Sequence, residues 1–388
     1  MNRKRWISAL ALLALVLLAT TAMAAQDNGF ALVNKNKVNL RREPEGTRIG
    51  YLDKGMTVFI AETRTKGQTT WHRVIMETKG DAKSGWVDAR FLTEVRSAFA
   101  GVQQAVVGER HALLRLSDGT ATGFGTNFQH TLDVTRWRNL TDIAAGRFVS
   151  VGLTADGEVK VTYPDRLEEA RKWRGVRRFI TNTIGSDMVL ALTADGRLAE
   201  PVSEALQAPL WAEDPRALGG LTQTAFSESF VAGLTEDGRV RVAVRNVNDS
   251  VQAEIRQADG LSGVRKIAAG RHALYCLMQD GTVQGFGAAA EADGGDDWRS
   301  WRDVKDLAAS CDYVAAVLSD GTVRMSGRMV SIDYNMHHVG QERQVNLQEM
   351  GLLAGWKDIA SLAAGETMLV GIRRDGGIEA AAAWRFER

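Results

Sequence analysis

The chain is poor in the residues that catalytic and metal sites are most often built from. It has two cysteines, five prolines and six histidines in 388 residues. Cys276 and Cys311 are too few for a disulfide-stapled scaffold, and no Cys-x-x-Cys pair is present. Six histidines leave little general-base supply beyond carboxylates. No Gly-x-Ser-x-Gly elbow, His-Glu-x-x-His helix, Walker loop or calcium loop occurs. Charge of one sign is also missing, with 48 Lys and Arg against 47 Asp and Glu. A phosphate-binding surface rests on clustered cations, so nucleic acid is not an expected partner. Long apolar runs are absent apart from residues 9–19, and those eleven residues are too few to span a bilayer. The chain is therefore not expected to be membrane-embedded, and no cofactor or metal is expected.

That short run has a recognisable setting. Arg3, Lys4 and Arg5 precede it, and Ala22-Met23-Ala24 follows as a small-x-small cleavage signal. This is the pattern of a secretory signal peptide over residues 1–24, cleaved near Ala24. No Cys follows the run to take a lipid. The mature chain is expected to be periplasmic or secreted, with 45 basic and 47 acidic residues and a net charge of −2. In that oxidising setting Cys276 and Cys311 are either bonded or a pair of buried thiols acting as small hydrophobes.

What the chain does have is repetition. A small residue, nine mostly apolar residues and then Asp-Gly recur seven times. The copies start at Gly108, Gly146, Gly185, Ser227, Gly270, Ser310 and Gly365, and their aspartates are Asp118, Asp156, Asp195, Asp237, Asp280, Asp320 and Asp375. Successive aspartates lie 38, 39, 42, 43, 40 and 55 positions apart, a period that means a repeat architecture. Asp-Gly between apolar strands is a strong hairpin signal, because Gly accepts the positive φ of the turn. The small residue is read as a second tight turn. One such sheet cannot bury both faces alone, but seven packed around an axis can. The expected fold is all-β, with residues 98–388 as a seven-bladed β-propeller. Its last blade is expected to borrow a fourth strand from residues 97–107.

Ile267-Ala-Ala-Gly270, Ala273-Leu-Tyr-Cys-Leu277 and Asp280-Gly-Thr-Val283 resemble the repeat of the regulator of chromosome condensation family. Ile143-Ala-Ala-Gly146, Leu362-Ala-Ala-Gly365, Gly108-Glu-Arg-His111 and a preceding Trp137, Trp301 or Trp356 fit the same resemblance. It implies a propeller and protein binding. The nucleotide-exchange activity of the founding member is not carried over to an exported chain. Ser227 and Ser310 depart from the pattern, as do the weakened Phe124-Gly125, Phe286-Gly287 and Ser326-Gly327. WD-type propellers share the period, but no Trp-Asp dipeptide occurs.

Residues 31–95 break the period and are expected to form a separate small domain. Val38-Asn-Leu-Arg41, Ile49-Gly-Tyr-Leu52, Lys54-Gly55, Trp71-His-Arg-Val74 and Gly85-Trp-Val-Asp-Ala-Arg-Phe-Leu92 resemble the bacterial Src-homology-3-like barrel. That resemblance implies a cell-wall peptide or another peptide chain as partner, with Trp71 as a candidate contact. The competing reading makes Trp71, Trp86 and Phe91 the core of a small barrel.

His111 and His272 are read as hairpin histidines filling blades, and the repeated aspartates as turn formers. Two stretches exceed the repeat. Residues 328–349 carry Tyr334, Met336, His337 and His338, read as a ligand-binding loop. Residues 246–260 are read as an outer strand with a longer loop. The expected function is a non-enzymatic binding or scaffold protein. The competing function is a propeller hydrolase or lyase acting on cell-envelope material. A cluster of carboxylates or a strongly perturbed His in the central channel favours the enzyme, and an apolar patch without one favours the binder.

Overall fold

All seven Asp-Gly turns form hairpins, and the glycine of each has a φ between 73° and 85°. The computed structural model describes residues 29–388 except 79–80, 164, 166, 182–188, 200–210, 228, 246–249, 289–295, 336–337, 340–342, 383 and 387–388. The signal-peptide expectation lies outside the described residues. So do Met336 and His337, and the side chains of residues 331–343 are not described either.

A first sheet is built from β1 (Phe30–Val33), β2 (Val38–Arg41), β3 (Arg48–Leu52), β4 (Thr57–Lys66), β5 (Thr69–Thr78), β6 (Asp81–Asp88) and β7 (Leu92–Glu94). Its order is β3-β2-β6-β5-β4-β1-β7, and its pairs are antiparallel. Ala31, Val33, Leu40, Leu52, Val58, Val74 and Val87 fill its own core.

The rest of the described chain makes seven small antiparallel sheets. The first is β8 (Val102–Val107), β9 (His111–Leu116) and β10 (Ala121–Gly125). The second is β11 (Leu140–Ala145), β12 (Ser150–Thr154) and β13 (Val159–Val161), and the third is β14 (Val176–Thr181) and β15 (Val189–Thr193). The fourth is β16 (Leu221–Phe226), β17 (Phe230–Thr235) and β18 (Val240–Val244). The fifth is β19 (Val264–Ala269), β20 (Ala273–Met278) and β21 (Val283–Gly287). The sixth is β22 (Val304–Ser310), β23 (Asp312–Leu318) and β24 (Val323–Asn335), extended by β25 (His338–Val339) and β26 (Arg343–Val345). The seventh is β27 (Ile359–Ala364), β28 (Met368–Arg373) and β29 (Ile378–Ala382). A last strand, β30 (Trp384–Phe386), runs parallel to Ile332–Tyr334 of β24.

These sheets close a ring. The first strands touch in the order β8, β11, β14, β16, β19, β22, β27, and β27 returns to β8. The apolar core is accordingly divided into wedges between neighbouring sheets. Leu274 packs with Phe230 and Val242 between the fifth and fourth, Tyr275 with Val314 between the fifth and sixth, and Tyr313 with Leu369 between the sixth and seventh. Such a closed set of small sheets fits a β-propeller.

Closure differs from the expectation. β8 pairs only with β9 among the described strands, so it is not a fourth strand of the seventh sheet. The backbone N–H of Val102, at the start of β8, instead donates to the carbonyl of Gly376 in the last Asp-Gly turn, at 2.9 Å. The same bond joins Leu140 to Gly119, Leu221 to Gly196, Val264 to Gly238, Val304 to Gly281 and Ile359 to Gly321, at 2.9–3.1 Å. The ring therefore closes with the bond found at five of its six other joints. The residue just before each first strand also has positive φ, 55–75°, at Gly101, Asn139, Gly175, Gly220, Gly263, Asp303 and Asp358. Only Gly, Asn and Asp occupy these positions, the residues that tolerate this region best.

The small residue ending the first strand opens the expected tight turn, with Gly108 N donating to the His111 carbonyl at 2.9 Å and Gly270 N to that of Ala273 at 2.8 Å. None of Gly108, Gly270 and Gly365 has a positive φ. A Cβ on Gly108 would lie 2.4 Å from the carbonyl oxygen of Gly146, and one on Gly270 2.6 Å from that of Cys311. On Gly365 it would meet Val107 at 2.3 Å. The next sheet's backbone occupies the space a side chain needs.

Two further expectations are corrected. Residues 246–260 do not form an outer strand where they are described, because Ser250–Arg256 is a helix with Gln252 and Ile255 buried. Ile255 fills the hollow left by Gly287, whose added Cβ would sit 2.8 Å from Ile255 Cγ1. Residues 328–349 do not open into a loop at Arg328 either. β24 continues to Asn335, β26 pairs with Met329–Ser331 and β30 lies alongside, so much of the surplus is strand.

Candidate functional site

Tyr334 and His338 sit on β24 and β25, where Tyr334 faces Val339 and His338 faces Asn335 in the ladder. Trp71 lies on β5 between Arg64 and Asp88 of the flanking strands. It is 7 % exposed, and its indole N–H has no hydrogen-bond partner. The indole is buried, on the face of β5 opposite Val74 and the core of the small sheet. Trp86 is buried as well, and the Arg64 guanidinium covers its ring at 4.8 Å.

The ring's centre holds a cavity of about 300 Å³, lined by β8, β16, β19, β22 and β27. The third residue of every first strand is polar: Gln104, Asp142, Arg178, Gln223, Lys266, Asp306 and Ser361. Most of these side chains bond to the next sheet. Gln104 Nε2 donates to Asp142 Oδ1 at 2.6 Å, and Asp142 Oδ2 accepts from Phe179 N at 2.6 Å. Arg178 donates to the Thr222 carbonyl at 3.3 Å, and Gln223 Oε1 accepts from Ile267 N at 2.9 Å. Lys266 pairs with Asp306, which also accepts from Leu362 N at 2.8 Å. Burial pushes the Asp142 carboxyl up, against the pull of its bonds to Phe179 and Gln104. The two carboxylates belong to the second and sixth sheets, so they do not form a cluster. Their oxygens are engaged in joining sheets.

His111 is the strongly perturbed histidine. It is 1 % exposed, and burial lowers its pKa to about 4. Its Nε2 lies 3.1 Å from Ser150 Oγ, whose hydroxyl donates to the Thr131 carbonyl at 2.8 Å. A carbonyl can only accept, so the serine proton points to Thr131 and the imidazole must be the donor to Oγ. A general base would need the reverse polarity. His111 holds the first sheet to the second as a neutral side chain.

A larger opening than the central cavity lies between the small sheet and the first sheet of the ring. A cleft of about 750 Å³ is walled by Leu32, Met56, Val58, Phe59, Ile75 and Met76 on one side and by Thr122, Gly123, Gly125 and Phe128 on the other. A second hollow of about 190 Å³ shares Glu77, Thr126 and Phe128 with it and reaches Arg147 and Phe148. The small sheet is anchored at one end of the cleft. Gly125 N donates to Thr57 Oγ1 at 3.0 Å, and Glu77 pairs with Arg110 at 2.7 Å and accepts from Thr126 Oγ1 at 3.2 Å. Behind this anchor Phe30 meets Phe124 at 5.6 Å and Phe59 at 5.8 Å, in one cluster with Leu114, Met368 and Val370.

Phe128 is 39 % exposed at the cleft and packs edge-on against Phe148 at 5.2 Å. It is followed by two non-glycine residues in the left-handed region, Gln129 at φ 53° and His130 at φ 65°. Such backbone costs of order 1–3 kcal/mol per residue and persists only where neighbours enforce it. Asp133 does so, accepting from Asn127 Nδ2 at 2.9 Å and lying 2.7 Å from His130 Nδ1, while Leu132 N donates to Asn127 Oδ1 at 2.7 Å. Gln129 Oε1, on the cleft wall, is shut off from solvent with no donor.

Cys276 and Cys311 are both buried and unbonded, and burial pushes each thiol up to about 12. Among the described residues no group of His, Cys, Asp and Glu could hold a metal, and no helix is long and apolar enough to cross a membrane. No protein-family model matches the chain, and neither does any curated protein. Among solved structures it is similar to yeast RCC1 (Prp20) bound to Kap60, at 15 % identity over 72 % of this chain and 70 % of that one, with a TM-score of 0.34. It is also similar to the computationally designed Ika8 protein, at 14 % identity over 89 % and 99 % of the two chains, with a TM-score of 0.40. Human WBSCR16 aligns at 12 % identity over 92 % and 89 %, with a TM-score of 0.32. Superpositions this loose carry no weight, and the fold rests on the chain's own strand pairing.

Proposed function

We propose that this chain is an exported, non-enzymatic binding protein for a protein or cell-envelope peptide. In this reading the ring is a seven-bladed propeller of the regulator of chromosome condensation type, and the first sheet is a bacterial Src-homology-3-like barrel. Export rests on the basic, apolar and small-residue pattern of residues 1–24. Recognition rests on one observation: a roomy, mainly apolar cleft is shared by the small sheet and the ring. Ligand sites are concave, mostly apolar and frequent where two units meet. The inner strands support the binder over the hydrolase, since Asp142 and Asp306 are committed to holding sheets together and His111, away from the central cavity, is bonded to Ser150.

Phe128→Ser tests this reading, because Phe128 is exposed and its removal leaves the core untouched. Wild-type protein immobilised on resin should retain specific envelope proteins or peptides that the variant releases. Retention of the same set by both would move recognition away from the cleft.

A further inference from the structure

We propose that the Asp-Gly end of the ring binds a short acidic peptide over an arc of cations, Arg177, Arg178, Arg265 and Lys305, at the mouth of the central cavity. This site is separate from the cleft and does not rest on it.

Each of the seven first strands carries a β-bulge at its second residue. Bulges gather at rims, where they re-aim a side chain. The first strands start at the Asp-Gly end, where Val102, Leu140, Leu221, Val264, Val304 and Ile359 bond to the turn glycines. The bulged residues therefore circle one end of the ring. Three of them are cations, Arg177, Arg265 and Lys305, and the other four, Gln103, Thr141, Thr222 and Ala360, carry no charge. Arg178 follows Arg177 directly, and all these cations are exposed. They belong to the third, fifth and sixth sheets, on one arc of the ring. The arc borders the central cavity. Gln223 and Lys266 line the cavity at this end, and Ala225, Ala268, Leu307 and Ala363 line it farther in.

The two ends of the ring differ in how their cations are held. Where the first strands turn back, Arg147 pairs with Glu109, Arg110 with Glu77 at 2.7 Å and Arg271 with Glu366 at 3.9 Å. At the Asp-Gly end, Arg177, Arg178, Arg265 and Lys305 have no ion partner among the described residues. Arg178 and Arg265 bond to backbone carbonyls instead, those of Thr222 and Met278, each at 3.3 Å. The nearby carboxylates are engaged elsewhere. Asp142 and Asp306 accept from Phe179 N and Leu362 N, while Asp280 and Asp320 accept from Thr282 and Thr322 in their own turns. Asp303 and Asp358 lie outward, with their backbone against Gly281 and Gly321. Unpaired cations around a concave mouth make the local field positive, which suits a partner bearing carboxylates. A nucleic-acid backbone needs a longer basic stripe, and this arc stops at the uncharged Ala360, Gln103 and Thr141.

The probes are end-blocked, fluorescein-labelled hexapeptides that alternate Val with Glu, Gln or Lys. Inorganic phosphate and a tetranucleotide serve as competitors. The full-length mature protein should bind the Glu peptide about tenfold more tightly than the other two, with the preference shrinking as salt rises. Arg177→Glu with Lys305→Glu should weaken that binding about tenfold. Lys35→Glu with Lys37→Glu changes net charge equally on the small sheet and should leave binding as it was. Equal loss from both pairs would reduce the effect to net charge and overturn the proposal. Displacement of the peptide by millimolar phosphate, or tighter binding of the tetranucleotide, would overturn the acidic peptide as partner. Phe128→Ser should leave the Glu peptide bound. Its release by that change would put the peptide in the cleft, which sinks the arc and leaves the cleft reading standing. A Glu peptide that binds no better than the Gln or Lys peptide also overturns the proposal.

Discussion

The joint between the seventh and first sheets and five of the six other joints of the ring share one backbone bond and differ in what backs it. Between the fifth and sixth sheets, Gly281 bonds to Val304, and the wedge behind contains residues of the ring alone. At the seam, Gly376 bonds to Val102 in the same way, but the wedge also contains Phe30, Phe59 and Val95 from outside the ring. Closing the ring thus requires no exchanged strand. The small sheet reinforces the one joint that the chain does not cross covalently.

The largest effect should come from breaking that reinforcement. Phe30→Ala empties a site between Phe59 and Phe124 and should cost about 3–5 kcal/mol. Hydrogen exchange should then rise at β8 and β28 as well as in the small sheet. Faster exchange confined to residues 30–94 would mean that the seam stands without its backing.

Acid should next separate the first–second joint from the seam. The folded-state pKa of His111 is about 4 against an unfolded value near 6.5, so the unfolded chain binds the extra proton between those limits. The contribution is full above pH 6.5 and is lost as pH falls towards 4, amounting to roughly 3 kcal/mol. At the seam, Thr367 Oγ1 bonds to the Glu109 carbonyl at 2.8 Å with no titrating partner. His111→Gln should flatten the slope of midpoint against pH in that window. An unchanged slope would place the titration elsewhere.

Glycine substitutions should then show the joints to be equals. Gly376→Val and Gly281→Val each force a branched side chain to positive φ beside the next sheet, where an added Cβ meets Gly101 Cα at 3.0 Å and Asp303 Cα at 3.2 Å. Each should cost about 1–3 kcal/mol, and the two denaturation midpoints should fall together. A seam variant that falls much further would show that closure is the weak point. Thr322→Val should have the smallest effect. It removes the hydroxyl donor that leads in holding Asp320 below the usual carboxylate range. That stabilisation is present above the unfolded carboxyl pKa and fades as pH falls through the folded one, so the variant should be slightly less stable at neutral pH and the difference should vanish in acid.

The hairpins were legible because their determinant is local: Asp-Gly imposes its turn whatever surrounds it. The positive-φ positions before each first strand were harder to read. Gly101, Asn139 and Asp303 share a conformation and no side chain, and the common feature appears only once the sheets are aligned. The same holds for the belt of Gln104, Asp142, Lys266 and Asp306, whose mixed chemistry hides a shared duty of bonding to the next sheet. The surplus in residues 328–349 was legible as surplus. Its assignment as a loop failed because the pairing partner of β24 includes β30, more than forty residues later in the chain. The cleft was invisible for a related reason. Its walls come from β4, β5 and β10, segments with no sequence pattern in common.

The repeated Gly-to-first-strand bond makes the position of the chain's ends within the ring a matter of connectivity more than of architecture. A circular permutant cut in the exposed Asp156-Gly157 turn, with the old ends bridged, should rebuild the same ring from a different starting sheet. The small sheet would then mark where the native chain begins.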